Sequence, residues 1–197
     1  GISDRALYDN IAAQVAEQGI PIRDDLISPG PMYYPGKSGG KMEQAIGKAV
    51  TGGTEEYINM PKAFQDKGSA DFLAHELGHK HLQNKKYLKY IQHPAASMLA
   101  PMGSMGSFAM GLTHDEDRSP WADAAVVTLP SVPLLAGEGY ASYKGDKLLR
   151  RAGANPAQLR QARGALGKAF GTYALMGLGN SAINYGLGRW MGGEDAT

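Results

Sequence analysis

The sequence predicts an α+β fold that is mostly helical, with a small sheet and Gly-rich hydrophobic helices. Apolar residues recur at helical spacing in several long segments, whereas the extended segments are short. Three runs, 94–113, 124–137 and 169–188, contain no Asp, Glu, Lys or Arg. With 197 residues, of which 43% are hydrophobic, the chain can bury one core, so we predict a single domain over 1–197.

The N-terminal segment predicts a helix that begins after Ser3 and ends near Gly19. Ser is a favoured N-cap residue, and Gly is a favoured residue at a helix end. The apolar residues that follow helical spacing here are Ala6, Leu7, Ile11, Val15 and Ile20. The next segment, IPIRDDLI, predicts a short strand or extended piece.

The segments that follow lead to a central helix. SPGPMYYPGKSGG is rich in Pro and Gly and predicts a loop with little regular structure. MEQAIGKAV fits a short helix or an irregular strand, and residues 57–60 predict a short strand. Ser69 is the predicted cap of the central helix, and Asp71 in its first turn suits the positive helix terminus.

The three uncharged runs allow two interpretations. The first and third reach the length of about 18 residues that a transmembrane candidate needs, but Gly, Ser, Pro and Asn dilute them. They are either membrane-associated or Gly-rich helices buried in a soluble or assembled particle. The mean hydropathy of −0.32 argues against a chain that lies mostly in lipid. Asn155 and Pro156 predict the start of the helix before the third run.

Composition excludes several functions. The net charge of +1 gives no general attraction to nucleic acid. There is no cysteine, so disulfides, thiolate metal sites and cysteine nucleophiles are excluded, and a transition metal must be bound by His, Asp or Glu.

No N-terminal signal peptide is visible. The first residue is Gly, which fits either a cleavage scar or a piece of a longer protein.

The segment FLAHELGHKHL contains the metalloprotease helix pattern H-E-x-x-H. On a helix, His75 and His79 lie on one face and can bind a single zinc ion, while Glu76 is rotated toward a metal-activated water. Glu76 is therefore the predicted general base for hydrolysis of a peptide bond. Gly78 costs roughly 1 kcal/mol inside a helix compared with Ala, which suggests close packing at this point.

Catalytic zinc needs a third protein ligand and one open position. Lys85 stands where a metzincin has its third histidine, so that class is excluded. His81 points to the other side of the helix and is predicted to be a surface histidine or an outer partner of a ligand. His93 and His114 are possible ligands, and a solvated or interfacial role is equally open to them.

Glu138 is the better candidate for the third ligand. It lies beside an apolar segment, where an unpaired carboxylate is costly and a zinc ion would stabilise it. The alternative is a glutamate near a helix N-terminus that faces water. Ser142, four residues on, lies on the same helical face and can hydrogen-bond a ligand from the second shell, and Asp146 is a further option for that role.

AHELGHKHLQ followed by two uncharged runs and EGYASYKGDKLL resembles the gluzincin peptidases of the HtpX and CAAX-processing type, and most of all the YugP-like zinc metallopeptidases. The resemblance covers about residues 4–187. It implies a minimal zincin core with Zn²⁺ bound by His75, His79 and Glu138, and Glu76 as catalytic base. It also implies an edge strand that pairs with an extended polypeptide substrate, formed by Tyr57, Ile58, Asn59 and Met60.

Two functions are expected from these residues. The first is a zinc endopeptidase that is membrane-associated or embedded in a larger assembly. The second is a structural or delivery protein, such as a virion or secretion component, that keeps a metallopeptidase scaffold and inserts into or packs at a membrane. Lysines beside the uncharged runs fit either solvated helix faces or contact with anionic lipid. Tyr33, Tyr34, Tyr140 and Tyr143 are oxyanion-donor candidates, with packing as their simpler role.

Overall fold

The computed structural model confirms a mostly helical α+β fold with one small sheet. It describes residues 1–24, 29–36, 41, 44–45, 48, 53, 55–92, 99–113 and 117–194. The segment MEQAIGKAV therefore falls largely outside the described residues, and so do His93 and His114.

The N-terminal helix forms where its cap and apolar spacing predict it. Helix α1 spans Asp4–Glu17, and the Ser3 side chain accepts a hydrogen bond from the Ala6 amide. Gly19 follows with φ of 69°, a left-handed conformation that glycine adopts without steric cost. The buried residues of α1 are Leu7, Tyr8, Ile11 and Val15, which place one helical face against the core.

A three-stranded sheet lies beside the helices. Its strands are β1 (Ile22–Arg23), β2 (Met32–Tyr34) and β3 (Tyr57–Asn59), in the order β1-β3-β2. Strand β1 pairs with β3 in parallel, and β2 pairs with β3 antiparallel. The Pro- and Gly-rich segment that predicts a loop therefore contains a strand, because β2 forms by pairing with a distant segment.

The central helix begins after a short helix, α2 (Lys62–Asp66). Helix α3 spans Ala70–Gln83 with Ser69 at its N-cap, although the Ser69 side chain makes no capping hydrogen bond. Leu73, Ala74 and Leu77 of α3 are fully buried in the core. The other core residues come from α1, from the sheet and from later helices.

The remaining described residues are mostly helical. A 3₁₀ turn at Leu88–Gln92 precedes α4 (Leu99–Leu112) and α5 (Pro120–Thr128). After a 3₁₀ turn at Leu129–Ser131 come α6 (Val132–Arg151) and α7 (Pro156–Ala174). The Asn155 side chain accepts hydrogen bonds from the amides of Ala157 and Gln158, which confirms its capping role. A π-helical turn at Leu175–Gly179 leads into α8 (Asn180–Glu194).

The chain divides into two compact units. Unit 1 comprises 1–93 and 137–168, and unit 2 comprises 94–136 and 169–197. Unit 1 contains the sheet, α1 to α3 and most of α6 and α7. Unit 2 contains α4, α5 and α8, and α4 packs closely against α8. Among the described helices, none combines the length and apolar character that crossing a bilayer would require.

Candidate metal centre

Helix α3 presents two histidines from one buried face of unit 1. The side chains of His75 and His79 are 10% and 15% exposed. Their rings stand almost perpendicular, with centroids 4.8 Å apart. The four-residue spacing stacks the two rings one turn apart, as helix geometry requires. The structure therefore brings both Nε2 atoms, 3.2 Å apart, to one point beside the helix.

Helix α6 brings Glu138 to the same point because it crosses α3 at unusually short distance. A Cβ atom on Gly78 would lie 2.9 Å from the Ala141 Cα and closer still to the Ala141 carbonyl oxygen. A Cβ on Gly145 would lie 3.1 Å from the His75 amide nitrogen. Glycine is thus required at Gly78, and a side chain at Gly145 would push the α3 backbone away by a few tenths of an ångström. The close packing expected at Gly78 is confirmed.

The three donor groups have the separation of a tetrahedral zinc site. Glu138 Oε2 lies 3.1 Å from His75 Nε2, and Glu138 Oε1 lies 3.6 Å from His79 Nε2. The three ligand atoms all lie within 4.8 Å of one another. Ligands at about 2.0–2.1 Å from zinc at tetrahedral angles are about 3.3 Å apart. The donor set of two imidazoles and a carboxylate and its spacing therefore fit zinc.

The electrostatics of the centre favour positive charge. Burial lowers the pKa of His75, but the hydrogen bond with Glu138 and the nearby carboxylates outweigh it, so the pKa is raised. Burial raises the pKa of Glu138, but its contacts with His75 and His79 outweigh that effect, so the pKa is lowered. The negative charge of the carboxylates would stabilise either a proton on the imidazole or a cation bound between the three side chains.

Glu76 is buried beside these ligands and is bonded to the sheet. Its Oε2 accepts a hydrogen bond from the Tyr33 amide of β2 at 2.6 Å. Burial raises the pKa of Glu76, and the nearby His79 and His75 lower it in part. A raised pKa makes the carboxylate a stronger base, which suits proton transfer.

Ser142 contacts a histidine of the centre. Its Oγ lies 3.2 Å from His75 Nδ1, on the side of the ring opposite to the atom that faces Glu138. This contact fixes the orientation of the His75 ring. A metal-binding histidine is commonly oriented by such a bond at its second nitrogen.

The sequence makes Asp146 a further option for hydrogen-bonding a metal ligand, and this expectation is wrong. Both of its carboxylate oxygens bind arginine: Arg163 Nε lies 2.8 Å from Oδ1 and Arg150 Nε 2.9 Å from Oδ2. The first of these contacts is also the main cause of its lowered pKa. Asp146 shares the helical stripe of Glu138, but eight residues further along α6 correspond to about 12 Å.

The predicted substrate edge strand is also corrected. Tyr57, Ile58 and Asn59 form β3, the middle strand of the described sheet, with a partner on each side, and Met60 follows it fully buried. Their backbone groups are already used by β1 and β2. Among the described strands, β2 is the edge strand that contacts Glu76.

The other candidates make contacts with neighbouring side chains of their own. Burial and nearby cations, first of all Lys144, lower the pKa of His81, which is absent from the donor cluster among the described residues. Tyr34 packs on Tyr57 with ring centroids 5.2 Å apart. Lys144 lies over the Tyr140 ring and Lys147 over the Tyr143 ring.

Sequence reasoning missed the polar network that ties β2 to α3. The Tyr33 hydroxyl donates to Glu56 at 2.6 Å, and Lys80, next to His79, pairs with the same carboxylate. Nothing local in the sequence links these three residues, since they come from three separate segments.

Comparison with known proteins gives no relative from which to assign this site. No family model matches the chain, and no curated protein and no solved structure matches it.

Proposed function

We propose that the chain is a zinc-dependent endopeptidase of the gluzincin type. One observation carries this proposal: the donor atoms of His75, His79 and Glu138 meet at the spacing of zinc ligands in a largely buried site. Three protein ligands leave one position open, as catalytic zinc sites do. Zn²⁺ is the proposed cofactor, and a polypeptide is the proposed substrate.

The chain's own residues divide the work in this proposal. His75, His79 and Glu138 hold the ion, and Ser142 orients the His75 ring. When bound, zinc acts as a Lewis acid and lowers the pKa of a water ligand to about 7. Glu76 accepts a proton from the attacking water and passes it to the leaving amine. The Tyr33 amide holds the Glu76 carboxylate in place during both transfers.

Metal content tests the binding half of the proposal. We expect the purified chain, loaded with zinc and desalted, to retain one zinc ion per molecule, measured by elemental analysis. The Glu138→Ala variant should lose most of it. The matched control is Glu55→Ala, since Glu55 is exposed and pairs with Arg23 rather than with a histidine. Equal zinc content in Glu138→Ala and the native chain would contradict the ligand assignment.

Activity tests the catalytic half. Glu76→Gln preserves the shape of the side chain and should retain zinc, but casein hydrolysis should fall by about 10²–10⁴-fold, the usual contribution of a general base. The control is Glu17→Gln, an exposed glutamate at the end of α1. If the zinc-loaded native chain cut neither casein nor itself, the endopeptidase proposal would be wrong.

The second candidate is a structural or delivery protein, such as a virion or secretion component, on a metallopeptidase scaffold. The observation in its favour is the set of large apolar side chains that unit 2 exposes, among them Met105, Trp121 and Leu175. Zinc retention without any hydrolysis in the native chain would favour this candidate.

A further inference from the structure

Unit 1 exposes lysines and tyrosines next to one another just after the metal-binding helix. The segment KKYLKY, residues 85–90, contains three lysines and two tyrosines and no acidic residue. Tyr87 is 74% exposed and Tyr90 is 61% exposed. Lys86 lies over the Tyr87 ring and Lys89 over the Tyr90 ring, with nitrogen-to-centroid distances of 5.3 and 5.4 Å.

Helix α6 of unit 1 carries a pair of the same kind. Lys147 lies 4.5 Å from the centroid of the Tyr143 ring, and Tyr143 is exposed. A Cβ atom on Gly137 of α6 would lie 3.5 Å from the Ile91 side chain, so the chain just after residues 85–90 packs against α6. We call residues 85–90 the lysine–tyrosine surface.

The side chains of this surface suit a partner that is anionic on the outside and apolar just beneath. Lysines are point charges that attract anions without the planar bidentate geometry with which arginine recognises a particular phosphate. Exposed tyrosines with lysine beside them are typical of the boundary between lipid headgroups and hydrocarbon, where each side chain has a polar tip and an apolar body. Leu88, which is also exposed, adds an apolar side chain between the two tyrosines.

Unit 2 gives an independent reason to choose lipid over an acidic protein. Its described helices bury polar groups, since Ser107, Ser131 and Ser181 are fully buried and Asp123 accepts a hydrogen bond from Tyr185. Its large apolar side chains face outward, with exposures between 47% and 75% for Met105, Leu175, Ile183, Leu187 and Trp190. This distribution is the reverse of that in water and suits an apolar surrounding.

We propose that the chain binds the surface of an anionic lipid bilayer through the lysine–tyrosine surface. The lysines contact the headgroups, and the tyrosines and Leu88 enter the boundary beneath them. This binding needs no metal and does not depend on the proposed peptidase activity.

The experiment is co-sedimentation of the full chain with vesicles. We expect it to bind phosphatidylcholine vesicles that contain about one third phosphatidylglycerol, and to bind pure phosphatidylcholine much more weakly. The Lys86→Glu/Lys89→Glu variant should bind the anionic vesicles at least about 30-fold more weakly, since each lysine at such a surface contributes a factor of about five. Tyr87→Ala/Tyr90→Ala should weaken the binding that persists at high salt.

The matched control is Lys62→Glu/Lys67→Glu, which changes the net charge by the same amount at two exposed lysines of α2 and the residue after it. It should bind like the native chain, and circular dichroism should show that all variants are folded. The proposal is overturned if the anionic vesicles are not bound, or if both double variants lose binding equally. Tight binding to duplex DNA or polyglutamate without binding to vesicles would also overturn it.

Discussion

At the scale of single residues, the geometry of the candidate metal centre is set by the hydrogen bonds that each side chain already makes. His75 uses both ring nitrogens, Nε2 toward Glu138 and Nδ1 toward Ser142. Glu138 offers one oxygen to each histidine. Glu76 is bonded to a backbone amide and so keeps its position without contacting a cation. Each side chain is thus positioned before any ion is added, which lowers the entropic cost of binding.

The Ser142 hydroxyl should contribute to zinc affinity without touching the ion. We expect Ser142→Ala to weaken zinc binding by about 10-fold or more, because removing a partner that orients a ligand has this effect in metal sites. The measurement is competitive titration against a chromophoric chelator. The control is Ser69→Ala, since the Ser69 side chain makes no capping hydrogen bond on α3. Equal affinities in the two variants would show that the contact with Nδ1 has no role in binding.

At the scale of elements, the crossing of α3 and α6 determines the site. The pattern in α6 places Gly137, Ala141 and Gly145 four residues apart, and the last two meet Gly78 and His75 of α3 at backbone distance. Glu138 and Ser142 each lie one residue further along α6, so the same crossing directs both toward the histidines. A larger residue at the crossing would therefore move two functional side chains at once.

Gly78→Ala tests this crossing. The added methyl group would meet the Ala141 backbone, which cannot move away as a flexible side chain can. We expect the free energy of unfolding to fall by about 1–3 kcal/mol and zinc affinity to fall with it. The control is Gly164→Ala in α7, where nothing lies within 4 Å of the added atom, and where stability should rise by up to about 1 kcal/mol. Chemical denaturation measures both variants, and a stabilised Gly78→Ala variant would contradict the crossing.

The elements also show what local sequence can predict. Helix α1, the cap of α7 and the central helix follow from residue spacing and capping residues, which are local signals. The placement of His75, His79 and Glu138 together follows from helical periodicity and from the need of a buried carboxylate for a partner. Strand β2 and the central position of β3 do not follow, because strand pairing joins segments separated by more than 20 residues. The role expected for Asp146 is wrong because a shared helical face does not bring residues together when they are two turns apart along the helix axis.

At the scale of the whole molecule, the two units bury different kinds of side chain, mainly apolar ones in unit 1 and polar ones in unit 2. Unit 1 buries apolar side chains around α1, β3 and α3, and among its described ionisable residues His75 and Glu76 are buried with them. Unit 2 packs α4 against α8 through glycine, and a Cβ on Gly188 would lie 3.0 Å from the Leu112 amide nitrogen. The three proposed zinc ligands, His75, His79 and Glu138, belong to unit 1.

Damage to the α4–α8 contact should therefore spare the metal centre. We expect Gly188→Ala to speed hydrogen exchange throughout α4 and α8, because the new methyl group meets the backbone of α4. Zinc stoichiometry should be unchanged, since the three proposed ligands lie in unit 1. Gly186→Ala, where the added atom has nothing within 4 Å, is the control and should not speed exchange, since Ala favours a helix more than Gly does. Loss of zinc from Gly188→Ala alone would show that the ligands require unit 2.

The order of the ligands along the chain has a consequence for biosynthesis. His75 and Glu138 are separated by 63 positions, and ribosomes add about 5–20 residues per second, so roughly 3–13 s pass between their syntheses. During that interval the nascent chain contains only the two histidines of the proposed site, and two ligands bind an ion more weakly than three do. The proposed peptidase activity would therefore arise only late in translation, after Glu138 itself has left the ribosome, and a chaperone that holds the segment before Glu138 would delay it further.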